Sequence, residues 1–247
     1  MNIVWFKRDL RILDHEPLCR ACEAGQFLPL YIMEPSLWKQ PDVSYRHYHY
    51  LQHYLEQLDT MFKTRGFKLV VKVGEALPVF KSLAENHNIK SIYSHYETWT
   101  KFSRDRDQSI RQWVEKNSID WKEYQQNGVV KKLKSRDGWS NLWHKHMRTD
   151  IFEAPKKIHC VSENSDQLLS FEDLQLQFDG FEPSTNFGEI APCKVLESFL
   201  TKRGEGYQKE MSGPLLAENA CSRLSTHIAF GTISIRTIFQ RTQAQVQ

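Results

Sequence analysis

Residues 4–18 read VWFKRDLRILDHEPL, and the rest of the chain is organised around this stretch. Residues 3–6 are apolar and favour a buried β-strand. A charged cluster follows at residues 7–11, and Asp14 then opens a helical stretch with Pro17 in its first turn. A buried strand that ends in charges and enters a helix is typical of the first strand–helix junction of a parallel sheet, where ligands gather beyond the strand ends. The alternative is that these charges only solvate a loop.

The next hundred residues repeat this alternation of strand and helix. The sequence predicts further strands at about residues 26–33, 67–73, 89–94 and 119–124, with helices between them. The sequence therefore predicts an α/β fold with a five-stranded parallel, doubly wound (Rossmann-like) sheet. No Gly-x-Gly-x-x-Gly follows the first strand, which argues against a nicotinamide dehydrogenase.

The pattern changes after Gly128. Residues 131–157 hold eight basic and three acidic side chains, whereas residues 162–189 hold seven acidic side chains and no Lys or Arg. Helical periodicity returns at residues 192–202 and again over about 224–240. We therefore divide the chain into an α/β domain at 1–128, a linker at 129–190, and the first helices of an all-α domain at 191–247.

Composition excludes several classes of protein. The charged fraction of 26% and the hydrophobic fraction of 40% are ordinary for a globular protein, and the net charge of +3 does not by itself indicate a nucleic-acid partner. No apolar run is long enough to cross a membrane, and no secretion signal begins the chain. Five cysteines without framework spacing fit a reducing interior, so a cytoplasmic location is expected.

A second informative stretch, residues 221–234, reads CSRLSTHIAFGTIS. Small polar residues and an Arg at the start of a helix offer backbone N–H groups, hydroxyls and a cation, which together can hold a phosphate. The alternative is an ordinary capped helix with a solvated Arg.

Both stretches resemble sequences of the DNA photolyase/cryptochrome family. The opening signature of that family is Trp-Phe-Arg-x-Asp-Leu-Arg-x-x-Asp-x-x-x-Leu, and residues 5–18 follow it with Lys7 in place of the usual Arg. The family's FAD-binding helical domain begins with Thr-Ser-Arg-Leu-Ser-x-x-Leu-x-x-Gly-x-(Ile/Leu)-Ser. Residues 221–234 follow that pattern with Cys221 for Thr and Ile228 for Leu.

The resemblance implies a set of cofactor-binding residues. In the family this loop holds the FAD phosphates, and an upstream Tyr packs against the same cofactor. Carried over to this sequence, the candidates are Tyr207, Cys221, Ser222, Arg223, Leu224 and Ser225. Met211 stands where the family often has an Arg that contacts DNA. Trp99 and Thr100 stand where the family can bind a folate antenna through Asn-Glu, so a folate is not supported and the antenna chromophore is left unassigned.

The activity implied for an intact relative is light-dependent repair. Reduced FAD, excited by blue light, donates an electron to a flipped-out pyrimidine dimer in damaged DNA, and the electron then returns. Intact members are about twice as long, so the sequence is interpreted as an N-terminal half without the residues that face the flavin ring. We predict no catalytic residue in this chain, and weak FAD binding or none. The alternatives are a non-catalytic blue-light signalling or interaction module and a stand-alone nucleotide-binding α/β protein that retains ATP at its strand ends.

Three other features are weaker candidates. Cys19-x-x-Cys22 lacks the second pair that a zinc site needs. His49 and His53 share a helix face, but neighbouring tyrosines favour a packed aromatic surface. The basic block from residues 131 to 148 contains two tryptophans. It could contact nucleic-acid phosphates or dock on the acidic block, and the sequence favours neither.

Overall fold

The computed structural model describes residues 1–131, 133–180 and 188–246. Its centre is a five-stranded sheet in the order β3-β2-β1-β4-β5, with every neighbouring pair parallel. The strands are β1 (Asn2–Phe6), β2 (Phe27–Met33), β3 (Val70–Val73), β4 (Ser91–His95) and β5 (Asp120–Tyr124). The predicted doubly wound α/β sheet is confirmed, and the order in which successive strands are added reverses between β1 and β4.

Helices cover both faces of the sheet. Those of the first half are α1 (Glu16–Glu23), α2 (Pro35–Trp38), α3 (Tyr45–Lys63), α4 (Ala76–Asn86) and α5 (Lys101–Lys116). Helices α1 and α3 pack on one face, and α4 and α5 pack on the other.

The middle strand β1 explains this layering, because all five of its residues are buried. Side chains alternate along a strand, so Val4 and Phe6 enter the α1/α3 layer while Ile3 and Trp5 enter the α4/α5 layer. Each fully buried side chain of this size contributes about 1.5–3 kcal/mol. A central parallel strand therefore reads as a continuous apolar run.

The second half of the chain adds a series of shorter helices. They are α6 (Trp139–Met147), α7 (Pro192–Ser198) with a π-helical turn at Phe199–Arg203, α8 (Tyr207–Glu210), α9 (Ala217–Ala220), α10 (Ser225–Phe230) and α11 (Ile235–Val246). Among the helices of the described residues, none combines the length and the apolar character needed to cross a membrane.

Two helix predictions differ from the structure. Asp14 does not open the first helix, because α1 begins at Glu16 and the backbone N–H of Leu18 donates to Nδ1 of His15, which is the N-cap. The helix predicted over 224–240 is two helices, α10 and α11. The break follows Gly231, whose φ of +66° is the left-handed conformation that commonly ends a helix.

The segment predicted as a linker lies along the sheet rather than apart from it. Cys160 pairs with Phe27 of β2, and the backbone N–H of Asp166 donates to the carbonyl of Val71 in β3 at 2.8 Å. Ile158 and Leu174 are buried in the α1/α3 layer. Within this segment Lys132 and residues 181–187 lie outside the described residues, and the domain boundaries at 128 and 190 stay predictions.

Candidate functional site

The charges that follow β1 are mostly internal. Asp9 is 1% exposed, Arg11 is 4% exposed and Asp14 is 2% exposed. The alternative that this cluster only solvates a loop is therefore wrong for these side chains. Since buried charges require partners, the contacts of each of them show what the stretch does.

Asp9 lies between two histidines at the switch point of the sheet, where the strand order reverses between β1 and β4. Its Oδ2 accepts from Nε2 of His15 at 3.0 Å and from Nδ1 of His95 at 2.7 Å, while Oδ1 accepts the backbone N–H of Lys7 at 2.7 Å. Burial acts to raise the pKa of Asp9, but the two histidines outweigh it and hold that pKa well below its usual range. Burial lowers the pKa of His95 to about 3, which keeps the ring neutral. Asp9 thus ties β1 to the end of β4.

Three hydrogen bonds join the stretch to residues 229–231. Arg8 Nε donates to the carbonyl of Ala229 at 2.7 Å, the backbone N–H of Leu10 donates to that of Phe230 at 3.0 Å, and Arg11 Nη1 donates to that of Gly231 at 2.8 Å. The backbones approach so closely that a Cβ on Gly231 would lie 2.2 Å from the Arg8 carbonyl oxygen. Only glycine fits at this contact.

Asp14 forms the second attachment between the stretch that follows β1 and the carboxyl-terminal helices. Its carboxylate accepts from Nε and Nη2 of Arg236, with Nε at 3.0 Å, from the hydroxyl of Ser234 and from the backbone N–H of Phe152. Burial acts to raise the pKa of Asp14, but Arg236 and Ser234 outweigh it, so that pKa lies below its ordinary value. We call Arg11, Asp14, Ser234 and Arg236 the sheet–helix clamp.

The clamp fixes the start of α11 against the sheet. Because α10 and then α11 follow the predicted phosphate loop in the chain, the clamp also positions that loop. Leu224 is 3% exposed and packs in an apolar cluster with Val195, Leu196 and Ile233. Cys221 and Ser222 are half-buried, and Ser225 is exposed at the first position of α10. Within the described residues neither serine hydroxyl has a partner, and the N–H groups of a first helical turn have no intrahelical acceptor. This set of donors suits an anion such as a phosphate.

Two arginines shape the loop. Arg203 donates to the carbonyls of Cys221 at 2.5 Å, Ser222 at 3.2 Å and Val195 at 3.0 Å, and so fixes the backbone before α10. Arg223 has a left-handed φ of +59°, and its Nε donates to the carbonyl of Glu218 at 2.6 Å. The Arg223 side chain is half-buried, and its guanidinium is anchored through this one nitrogen.

Tyr207 begins α8 and is 37% exposed. Its ring lies edge-on to Phe199 at 5.8 Å, and Arg203 lies 5.8 Å from the same Phe199 ring. Tyr207 is therefore connected to the phosphate loop through Phe199 and Arg203, while the other five predicted residues lie together in the loop itself.

Beyond the ends of β1 and β2 there is little enclosed free space. A cavity of about 40 Å³ lies between Lys7, Trp38, Trp99 and Phe230, and Nε1 of Trp38 is buried without a hydrogen-bond partner in the described residues. Such a volume holds about one water molecule, so no chromophore fits it as it stands. Thr100 caps α5, and the guanidinium of Arg8 covers the Trp99 ring at 4.0 Å.

The weaker candidates have structural partners. Burial raises the pKa of Cys19 to about 11 and that of Cys22 to about 12, so both thiols are unreactive near neutral pH. His49 Nε2 lies 3.0 Å from Oε1 of Glu189, and His53 Nε2 lies 3.2 Å from the backbone carbonyl oxygen of Glu189. Among the described residues the only cluster with metal-ligand spacing is Asp9, His15 and His95, which is buried and internally hydrogen-bonded.

Comparisons with known proteins agree on one family. A model of the DNA photolyase family matches residues 2–138. The deoxyribodipyrimidine photo-lyase of Salmonella typhimurium is 26% identical to this chain, and the match covers 99% of the chain and 54% of the relative. The chain therefore spans about half the length of the curated relatives it matches.

Solved structures share the fold. A cryptochrome from Synechocystis sp. PCC6803 has a TM-score of 0.79 at 22% identity, covering 99% of this chain and 55% of that one. An archaeal photolyase from Sulfolobus tokodaii, solved with two FAD molecules, has a TM-score of 0.69 at 26% identity, covering 98% of this chain and 55% of that one.

Proposed function

This chain belongs to the DNA photolyase family, and on that premise we propose that it supplies the α/β domain and the first FAD-phosphate contacts of a light-driven enzyme that repairs pyrimidine dimers in DNA. Its five cysteines are all free thiols, which suits a reducing compartment such as the cytoplasm. When bound, FAD supplies the photoexcited electron transfer of repair.

The observation that carries the proposal is the attachment of the loop to the sheet. Asp14 and Arg236 form a buried ion pair, and Gly231 lies against the backbone that follows β1. The loop at residues 221–225 is therefore held by buried contacts on its C-terminal side and by Arg203 on its backbone. A donor set fixed before the ligand arrives loses little entropy on binding.

Each loop residue has a distinct role in this proposal. The N–H groups at the start of α10 and the hydroxyls of Ser222 and Ser225 would donate hydrogen bonds to the pyrophosphate oxygens, and Arg223 would neutralise part of the pyrophosphate charge. Leu224 and Cys221 would shape the loop rather than bind the anion. Tyr207 would pack against the cofactor from the neighbouring helix.

The stand-alone nucleotide-binding alternative is less well supported. Such a protein would hold ATP in the crevice beyond β1. Residues 229–231 occupy part of that crevice, since their carbonyls accept hydrogen bonds from Arg8, Leu10 and Arg11.

Phosphate recognition can be tested on this chain with FAD and riboflavin, which share the flavin ring, because riboflavin lacks the pyrophosphate and adenosine of FAD. We expect calorimetry to show weak binding of FAD, because one loop encloses only part of the ligand. Riboflavin should bind at least about tenfold more weakly, since charge-assisted hydrogen bonds contribute about 1.5–3 kcal/mol each.

Arg223→Ala should reduce FAD binding toward the level of riboflavin, while Arg65→Ala, which removes an Arg that donates to Met61 and Thr64 at the end of α3, should not. Equal affinity for FAD and riboflavin would show that the loop does not recognise the pyrophosphate.

A further inference from the structure

The two edges of the sheet differ in how their backbone groups are satisfied. An edge strand presents N–H and C=O groups that need partners from outside the sheet. At the β3 edge, the backbone N–H of Val71 donates to the hydroxyl of Ser165 at 3.0 Å, and that of Val73 donates to Oδ2 of Asp166 at 2.8 Å. The carbonyl of Val71 accepts the backbone N–H of Asp166 at 2.8 Å. The segment after Cys160 therefore closes this edge.

The opposite edge, at β5, is open. The backbone N–H of Asp120 donates to the carbonyl of Lys90 at 3.1 Å, and the carbonyl of Tyr124 accepts the N–H of Tyr96 at 3.0 Å, so residues 120, 122 and 124 bond towards β4. Because backbone groups of successive strand residues point to opposite sides, those of Trp121 and Glu123 point away from the sheet. Within the described residues, these outward N–H and C=O groups have no hydrogen-bond partner.

The side chains of β5 leave this edge accessible. None of its five residues is buried, whereas all five residues of β1 are. Asp120 and Lys122 share one face of the strand, with Nζ of Lys122 3.3 Å from Oδ2 of Asp120. Their side chains are 61% and 42% exposed, so both charges remain available to a neighbouring strand. Trp121 lies on the other face and packs in the α4/α5 layer.

A second copy of β5 fits this edge in an antiparallel register centred on Trp121. In that register the two Trp121 backbones exchange N–H···O bonds, and each Glu123 N–H meets the carbonyl of Ile119 in the other copy. Asp120 then lies directly opposite Lys122 of the second copy, which gives a ring of four alternating charges. A two-fold axis at Asp120 or at Lys122 would instead place like charges opposite each other, which is destabilising.

We propose that the β5 edge is a self-association surface, through which two copies of this chain pair antiparallel and extend the five-stranded sheet to ten strands. An unrelated extended peptide would also bond to the outward groups of Trp121 and Glu123. The order of charge in β5 favours a second copy, because Asp120 and Lys122 complement their own reversed sequence. The contact is one short strand, so the dimer is weak and transient. It goes beyond the proposed function, because it requires neither FAD, light nor DNA.

Sedimentation equilibrium over about 5–500 μM protein measures the association, which we expect to weaken as salt rises. Asp120→Lys and Lys122→Asp each place like charges opposite each other, and each should weaken dimerisation at least about tenfold. The double variant Asp120→Lys/Lys122→Asp restores opposite charges in the same register and should dimerise within about threefold of the parent. An equimolar mixture of the two single variants should form heterodimers.

Both substituted side chains are exposed, so the fold should tolerate these changes. The matched control is Lys68→Asp, which makes the same charge change at an exposed lysine outside β5 and should alter dimerisation less than about twofold.

Amide hydrogen exchange locates the contact. Raising the protein concentration should slow exchange at Trp121 and Glu123, whose N–H groups point outward, and change it less at Lys122, which already bonds to β4. A chain that stays monomeric over the whole concentration range would overturn the proposal. So would a double variant that dimerises no better than the single variants, or a dimer in which Trp121 and Glu123 gain no protection, because another surface would then hold it.

Discussion

Replacing Asp14 by Asn should loosen the attachment of the carboxyl-terminal helices to the sheet. The Asp14 side chain is 2% exposed and that of Arg236 is 9% exposed, so solvent screens their ion pair little. Asn keeps the size of the side chain but removes the charge and presents an amide to the Arg236 guanidinium. Breaking one partner of a buried pair costs about 3–5 kcal/mol, and because Asn can still accept one hydrogen bond we expect about 3 kcal/mol.

Urea denaturation of the variant measures this cost directly. In a chain of this length the expected loss corresponds to a fall in melting temperature of about 6–12 °C. The control is Asp150→Asn, at an exposed carboxylate without a partner in the described residues, which should stay within about 0.5 kcal/mol of the parent. Hydrogen exchange should show the extra opening at residues 225–236.

A double variant separates the ion pair from general disruption. Arg236→Met alone should also destabilise, because it leaves the Asp14 carboxylate buried with fewer donors. Asp14→Asn/Arg236→Met should cost less than the sum of the two single variants. If Asp14→Asn costs no more than Asp150→Asn, or if the two losses simply add, the ion pair is not what holds α11 to the sheet.

Other outcomes follow from the same contacts. The folded-state pKa of His95 is lowered to about 3, below its ordinary 6.5. As pH falls, the His95 ring is therefore protonated in the unfolded chain before it is protonated in the folded chain. Stability should therefore fall as pH drops below about 6.5, by up to about 1.4 kcal/mol per pH unit for this group, and His95→Asn should reduce that slope in urea titrations at several pH values. Gly231→Ala should destabilise by more than about 1 kcal/mol in urea, since the Cβ would lie 2.2 Å from a carbonyl oxygen at a φ of +66°, and an unchanged midpoint would contradict the close approach. Arg203→Met should increase hydrogen exchange at residues 221–225 more than at α5, and equal exchange would contradict its role in the loop.

The sheet could be predicted because its signals are local. The inner strands β1 and β2 are continuous apolar runs, each followed by a stretch of helical periodicity, and β1 carries the pattern of a strand buried on both faces. The errors occurred where one residue changes the backbone. Gly231 splits a helix that periodicity alone joins, and His15 rather than Asp14 lies at the cap of α1.

The candidate site was predictable only in part, for a related reason. The loop residues are consecutive, so spacing and resemblance identified them together. Asp14 and Arg236 are separated by 222 positions, and nothing in the sequence pairs them. Arg203 was missed because it acts on backbone carbonyls, which carry no residue-specific signal. Asp14 is a fixed position of the family's opening signature, and that was the only indication of a role other than the helix start predicted for it.

The most direct test is an NMR titration of the isotopically labelled chain with FAD and, separately, with riboflavin. If the loop holds the pyrophosphate, FAD should shift the backbone amide resonances of Ser222, Arg223, Leu224 and Ser225, and riboflavin should leave them in place. FAD binding that leaves these four amides unchanged while shifting resonances elsewhere would contradict the assignment of this loop to the cofactor.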